Sequence, residues 1–338
     1  MSNSRSFALL VLLLAAAASS AQSYTITDIG SLGGTPTASA VNDSGEVVGA
    51  SQTLDPTVTH AFYWTATTGM VDMGTLGGNL SQAFGVNSRG EIVGTSNQTV
   101  NANGAAFVWT PASGFHDLGG NGDAYAVNDR GQVAAVSGNN QTAFLWTPPS
   151  RQVFLGTLGG TNTLPYALNQ QGQVVGYSYT AQNAAYHAFL WSKSSGMKDL
   201  GTLGGLNSYA LGINKSDQVV GWGTIPGTSF YYHAFYWTKS GGMQDLGTFG
   251  GSYSLALAIN DSGQVVGAAN LAENTDNHAF LWTSTGGMLD LNAMIPPNSG
   301  WDLNSASSIN ATGQIVGEGA YNGEIHAFLL TPVGALRK

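Results

Sequence analysis

A chain of 338 residues that is 43% hydrophobic and 10% aromatic can bury a sizeable core and is too apolar to be disordered. Its net charge of −9 argues against nucleic acid and against docking on anionic membranes, both of which need clustered Lys and Arg. With no cysteine, disulfides, thiolate metal sites and thiol catalysis are excluded; with 9% charged residues, the surface must be built from Asn, Gln, Ser, Thr and Gly.

In chain order, the first segment reads as a secretory signal. Arg5 supplies the positive region, and Phe7 to Ala18 is an apolar run too short to span a bilayer comfortably. Ser19 and Ala21 are small residues at the −3 and −1 positions of a cleavage site after Ala21. Residues 1–21 are thus expected to be a signal peptide and 22–338 a single domain, with no membrane insertion of the mature chain.

The rest is a repeat. Three short motifs recur in fixed order. The first, Asn-x-x-Gly-Gln-Val-Val-Gly with variants, starts at Asn42, Asn87, Asn128, Asn169, Asn214, Asn260 and Asn310. The second, His-Ala-Phe-Leu-Trp, places its Phe at Phe62, Phe107, Phe144, Phe189, Phe235, Phe280 and Phe328. The third, Asp-Leu-Gly-Thr-Leu-Gly-Gly, appears around Asp28, Asp72, Asp117, Asp199, Asp245 and Asp290, with Phe154-Leu155-Gly156 in the remaining slot.

The sixth repeat illustrates the predicted elements. Ser254 to Ile259 alternates as a first strand, and Asn260-Asp261-Ser262-Gly263 is a turn. Gln264-Val265-Val266-Gly267 opens a second strand rich in β-branched residues. His278 to Thr283 is a third, with Phe280 and Trp282 on one face, and Met288 to Leu291 is a fourth. No window outside the signal carries a sustained helical period, so almost no helix is expected.

A single four-stranded unit cannot cover both of its apolar faces; stacking units around an axis can. The expected fold is therefore all-β, a seven-bladed β-propeller of four-stranded blades. Its ends are incomplete in complementary ways. Tyr24 to Asp28 is a fourth strand without a third, and His326 to Thr331 is a third without a fourth. Pairing of these N- and C-terminal strands would close the ring.

The three motifs together resemble the HAF repeats, a family of bacterial extracellular repeats named after His-Ala-Phe, along the whole mature chain. Gly300-Trp301 and Pro296-Pro297 resemble the terminal variant of such repeats. The resemblance implies secretion and no defined activity. The third repeat departs most. It is entered by Asp117-Leu118-Gly119-Gly120 without Thr-Leu, and has Val133-Ala134-Ala135-Val136 for Val-Val-Gly and Thr142 for His. A slightly irregular blade is expected there.

Among candidate site residues, His60, His187, His233, His278 and His326 recur at one motif position. Each is expected to be structural, bonding a backbone or hydroxyl group within its own blade. Ala105 and Thr142 occupy the same slot, so the histidines cannot form a closed ring of metal ligands. Asp72, Asp199 and Asp245 could act as acid and base, but Asp-Leu-Gly reads better as a turn cap. Gly-Thr-Leu-Gly-Gly lacks the Lys and the helix of a phosphate-binding loop. No catalytic, cofactor or metal site is assigned.

The informative variation lies in the loops between second and third strands and in the crossovers between blades, which open on one face. Tyr177, Tyr179, Tyr186, Trp222, Phe230, Tyr231, Tyr232, Tyr253, Trp301 and Tyr321 are placed there. Aromatic rings beside Asn and Gln suit sugars, which stack on π-faces and accept amide hydrogen bonds. Trp222, Tyr231, Tyr232, Tyr177, Tyr179 and Tyr186 are the candidate ligand-binding set. The expected function is a secreted, extracellular or periplasmic, monomeric and non-enzymatic binding module for a polysaccharide or protein. The alternative is a secreted propeller hydrolase or lyase acting on carbohydrate.

Overall fold

The computed structural model describes residues 23–334 apart from 101, 139–141, 228–230 and 275. The expected signal segment and Phe230 therefore lie outside the described residues. The described chain is all-β, with 28 strands and three single-turn 3-10 helices at Ala181–Asn183, Ala272–Asn274 and Leu291–Met294. The strands form four-stranded antiparallel sheets. Five stand alone, and the fifth and sixth repeats join into an eight-stranded sheet through one parallel pair, Tyr232 with Tyr253.

The sixth repeat runs Gly250–Ile259, Val265–Leu271, Asn277–Thr283 and Gly287–Asp290, within a few residues of the sequence expectation. The two chain ends complete one sheet: Ser23–Asp28 pairs antiparallel with Glu324–Val333, Tyr24 opposite Pro332 and Asp28 opposite Phe328.

In each repeat the motif Asn does more than begin a turn. Asn214 Oδ1 accepts from the N–H of Ser216 and of Gln218, at 3.0 and 3.1 Å, which forms the turn. Its Nδ2 donates to Gln218 Oε1 at 2.7 Å and to the carbonyl of Asn260 in the next repeat at 3.1 Å. The same inter-repeat bond runs from Asn42 to Asn87, onward through Asn128, Asn169, Asn214, Asn260 and Asn310, and back to Asn42, at 2.9–3.2 Å throughout. All seven asparagines are at most 5% exposed, so every amide is buried and fully paired, as burial of a polar group requires. This explains why Gln or Glu follows Asn by four positions. It also explains Gly three positions on, where φ is positive, as at Gly45 (+79°); Asp217 takes that role in the fifth repeat at +59°.

The motif Phe residues are all at most 1% exposed. They pack between repeats: Val175 and Ala188 of the fourth repeat share a cluster with Ala210, Val219, Phe235 and Trp237 of the fifth. Each such side chain stabilises the ring by about 1.5–3 kcal/mol through burial. The Gly of Val-Val-Gly has a separate reason. The paired first strand passes so close that a Cβ on Gly221 would sit 1.8 Å from the Tyr209 carbonyl oxygen.

The third repeat is irregular as expected. The stretch from Asp117 to Asn128 is four residues shorter than that from Asp72 to Asn87, so its first strand is only Ala124–Val127. The close approach moves with it: a Cβ on Gly122 would lie 2.0 Å from the Val136 carbonyl, and Ala135 can stand where the other repeats need Gly.

Candidate functional site

A four-stranded antiparallel meander places its first and third turns at one end and its middle turn and exit at the other. The ring therefore has a hairpin end, carrying the asparagine cycle, and a crossover end, carrying the loops between second and third strands and the links between repeats. At the hairpin end a pocket of about 210 Å³ is lined by six of the seven motif asparagines and by residues beside them, including Val41, Asp43, Asp129, Ile213 and Asp261. Much of its polar lining is already committed. Asp129, Asp261 and Asp43 accept from the backbone N–H of Ser88, Lys215 and Ala311 in the neighbouring repeat, at 2.9–3.0 Å.

Towards the crossover end, each motif His donates from Nδ1 to the carboxylate of the Asp in its own sheet. The pairs are His60–Asp72, His187–Asp199, His233–Asp245, His278–Asp290 and His326–Asp28, at 2.7–2.9 Å. This corrects the expected backbone or hydroxyl partner; the bond is within the sheet, as expected, but to a carboxylate. The cause is register: Phe235 opposes Asp245, which leaves the Asp side chain within reach of the His two residues before the Phe. The Asp also caps its turn, since Asp245 Oδ1 accepts from Gly247 N at 2.7 Å. Where Ala105 replaces His, Gln98 Nε2 reaches Asp117 instead, at 2.7 Å. Among the described residues no group of three His, Asp or Glu is placed to hold a metal ion.

The aromatic residues form one connected arc. It starts on first strands, with Phe84 stacked on Tyr125 at 5.6 Å and Tyr125 on the edge of Tyr166 at 5.4 Å. Tyr166 leads to Tyr177 at 6.1 Å, and Tyr177 meets Tyr179, Tyr186 and Tyr209 at 6.3, 5.6 and 4.4 Å. Tyr209 stacks on Trp222 at 4.1 Å and a 23° interplanar angle, Trp222 meets Tyr232 at 4.9 Å, and Tyr232 meets Tyr253 at 5.2 Å. All ten rings are half-buried. A second, smaller cluster on the terminal repeat stacks Trp301 on Tyr321 at 4.9 Å, with His326 at its edge.

Of the candidate set, the structure brings together Tyr177, Tyr179, Tyr186, Trp222 and Tyr232. Tyr231 is 49% exposed and makes none of these ring contacts. The expectation that they sit in loops is corrected. Tyr177 and Tyr179 lie in the strand Val174–Thr180, Tyr186 in Tyr186–Ser192, Trp222 in Val219–Thr224 and Tyr232 in Tyr232–Thr238. Strand pairing is what assembles them: Tyr179 is opposite Tyr186, and Trp222 opposite Tyr209.

Tyr209, Tyr166, Tyr125 and Phe84 escaped the sequence reading because they stand in regular first strands. Aligning the repeats on their asparagines would have exposed Tyr209, since the same position holds Thr37, Gln82, Leu255 and Ser305 elsewhere.

Packing sets the electrostatics of the arc. Burial pushes Tyr177 up to about 12, with the neighbouring phenols of Tyr166, Tyr179 and Tyr186 adding to the shift. Burial, and then the hydrogen bond with Tyr186, push Tyr209 far above the usual tyrosine range; Tyr125 rises likewise through burial and the charge of Asp123. Tyr125, Tyr177 and Tyr209 are thus held as neutral phenols at any physiological pH. Around it, Leu54 (89% exposed), Val100 (64%), Leu206 (57%) and Ile325 (48%) also project from the crossover end.

No family model and no curated protein matches the chain. Solved structures do. A catalytically inactive virginiamycin B lyase from Staphylococcus aureus, with quinupristin, aligns over 92% of this chain and 100% of its own at 12% identity and a TM-score of 0.60. The β-propeller domain of the trilobed protease from Pyrococcus furiosus, described as having an open velcro topology, aligns over 89% and 98% at 8% identity and 0.56. TolB from Acinetobacter baumannii aligns over 72% of this chain at 12% identity and 0.51, and this chain spans 62% of that one. At these identities the likeness is one of fold, and the fold is a β-propeller.

Proposed function

We propose that the chain is a seven-bladed propeller, with the eight-stranded sheet counted as two blades, and that it is a secreted, non-enzymatic binding module. Its ligand is an extracellular glycan seated on the aromatic arc. The count rests on the seven-membered asparagine cycle and on closure by the terminal strands. Secretion rests on the signal-like first segment and on the resemblance to HAF repeats.

One observation carries the binding reading: on three successive repeats, Tyr177, Tyr186, Tyr209, Trp222, Tyr232 and Tyr253 form an unbroken, half-exposed aromatic surface. The scaffold does not require it, because the first, second and sixth repeats have Ala50, Thr95 and Ala268 where the fourth and fifth have Tyr177 and Trp222. Rings kept partly in water without a packing need serve contact. Catalysis is less well supported, because Tyr177 and Tyr209 at the centre of the arc are phenols held protonated and the nearby histidines are already tied to aspartates.

The test is a binding screen of the mature protein against a glycan panel and envelope extracts. Trp222→Ala should weaken capture at least about tenfold while leaving the thermal transition nearly in place. Tyr231→Ala, outside the ring contacts, should change it little. Undiminished binding by Trp222→Ala refutes the site.

A further inference from the structure

The charged side chains are divided between the two ends of the ring. Of the ten Lys and Arg, Arg5, Arg337 and Lys338 lie outside the described residues. Arg89, Arg130 and Lys215 stand on the turns after the first strands, and Arg151, Lys193 and Lys239 on the hairpins before the fourth. All six are at the hairpin end. The seventh, Lys198, is on an outer strand with its Nζ 4.9 Å from the Trp237 ring centroid. Some of these cations are also paired, Arg89 with Glu91 and Lys215 with Asp261.

Of the nineteen carboxylates, Asp43, Glu46, Glu91, Asp129, Asp217 and Asp261 share the hairpin end and balance its cations. The other thirteen lie from mid-strand to the crossover end, where Lys198, beside Asp199, is the one described Lys or Arg; five of them, Asp28, Asp72, Asp199, Asp245 and Asp290, are bonded to the motif histidines. One reaches the arc itself, since Tyr125 donates to Asp123 at 3.3 Å; Glu318 holds, in the terminal repeat outside the arc, the register position that Trp222 holds in the fifth. The crossover end as a whole is therefore predominantly negative, and fields of that kind act over about 8 Å at physiological salt.

Resting on the glycan-binding reading above, we infer that the arc takes a glycan that carries no carboxylate, sulfate or phosphate, and that any charge it does carry is positive. An acidic polysaccharide would bring its anions to an end of the ring rich in carboxylates, where Lys198 on an outer strand is the one described ammonium or guanidinium. A neutral sugar ring loses nothing by stacking on protonated phenols. An amino-bearing sugar gains from both the field and the ring faces, since cations are attracted to aromatic π-systems.

The experiment varies charge alone. Affinity electrophoresis is run with three derivatives of one cellulose backbone: neutral hydroxyethyl, cationic quaternary-ammonium hydroxyethyl and anionic carboxymethyl. The expected order of retardation is cationic, then neutral, with none for carboxymethyl, and high salt should draw the first two together. The double variant Tyr209→Ala/Trp222→Ala, which keeps every charge, should lose about tenfold or more on both. That separates ring binding from simple attraction of a polycation to an acidic protein. In case that variant folds poorly, Asp276→Lys/Glu324→Lys alters two exposed carboxylates, one in a loop of the sixth repeat and one at the start of a strand in the terminal repeat, and leaves the rings alone. It should narrow the gap between cationic and neutral polymer several-fold.

Retardation by carboxymethyl cellulose equal to that by the neutral polymer, and lost in the aromatic variant, overturns this inference and leaves the aromatic site standing. Retardation that the aromatic variant does not change overturns the site and the inference together, as does no retardation by any of the three.

Discussion

The asparagine cycle makes a quantitative claim about what holds the ring closed. Asn214→Ala removes four hydrogen bonds at a residue only 3% exposed: two accepted from Ser216 and Gln218 N–H, one donated to Gln218 Oε1 and one donated across to Asn260 O. Each bond contributes about 0.5–1.5 kcal/mol net, and buried partners left unpaired cost more. The expected loss is about 3–5 kcal/mol. Gln218→Ala removes only the side-chain bond to Asn214 and should cost about 1 kcal/mol. The difference between the variants measures the turn and the inter-repeat bond together. Urea unfolding followed by Trp fluorescence gives both values from midpoint and slope. If Asn214→Ala costs no more than Gln218→Ala, the cycle is incidental and closure rests on the apolar contacts and the terminal strand pair alone.

Phe189→Ala should destabilise by about 3–5 kcal/mol, because Phe189 is fully buried among Leu164, Val174 and Trp191; Phe154→Ala, at 60% exposure, should stay within about 0.5 kcal/mol, and equal effects in the same melts would refute the packing account. His233→Ala should cost less than about 1 kcal/mol and Asp245→Ala more, since Asp245 also caps Gly247; the reverse order in urea titrations would contradict the capping role. Because burial raises Tyr177 to about 12 in the folded protein, its phenol ionises first in the unfolded chain, near pH 10. Stability is then full below about pH 10 and is lost as pH climbs towards about 12. Urea midpoints across that range should fall less steeply in Tyr177→Phe than in the unaltered protein, and parallel curves would show that the arc does not hold its phenols neutral.

What the sequence made legible follows from which interactions repeat. The Asn, Phe and Asp-Leu-Gly positions recur in register, so strands, turns and the pairing of Ser23–Asp28 with Glu324–Val333 could be read from spacing alone. The cycle of inter-repeat bonds could not, because a turn that consumes its own Asn and a turn that lends Nδ2 to the next repeat look the same in one dimension. The His partner was misread for a related reason: twelve residues separate His233 from Asp245, and only the opposition of Phe235 to Asp245 brings them together. The arc was half legible. Tyr177, Tyr186 and Trp222 stood out as departures from the repeat, but Tyr209 and Tyr166 belong to first strands, where an aromatic residue reads as ordinary core.

The two ends of the ring divide the work, and that division is what lets one end vary. Successive asparagines are separated by as few as 41 and as many as 50 residues, yet the bonds between them keep within 2.9–3.2 Å. The length differences must therefore be absorbed elsewhere, in the crossovers and in the loops after the second strands. The crossover into the third repeat is short, and the loops at Ala181–Asn183 and Ala272–Asn274 carry extra single turns. Closure places no demand on that end beyond the His–Asp pairs and the Gly-rich links. Side chains there are less constrained by the ring, although Tyr125, Tyr166 and Tyr177 still rest against the core, so two register positions that hold Thr, Ala or Gln in other repeats can hold Tyr177, Tyr209 and Trp222. The concentration of rings on the fourth and fifth repeats is the feature on which the proposed binding rests.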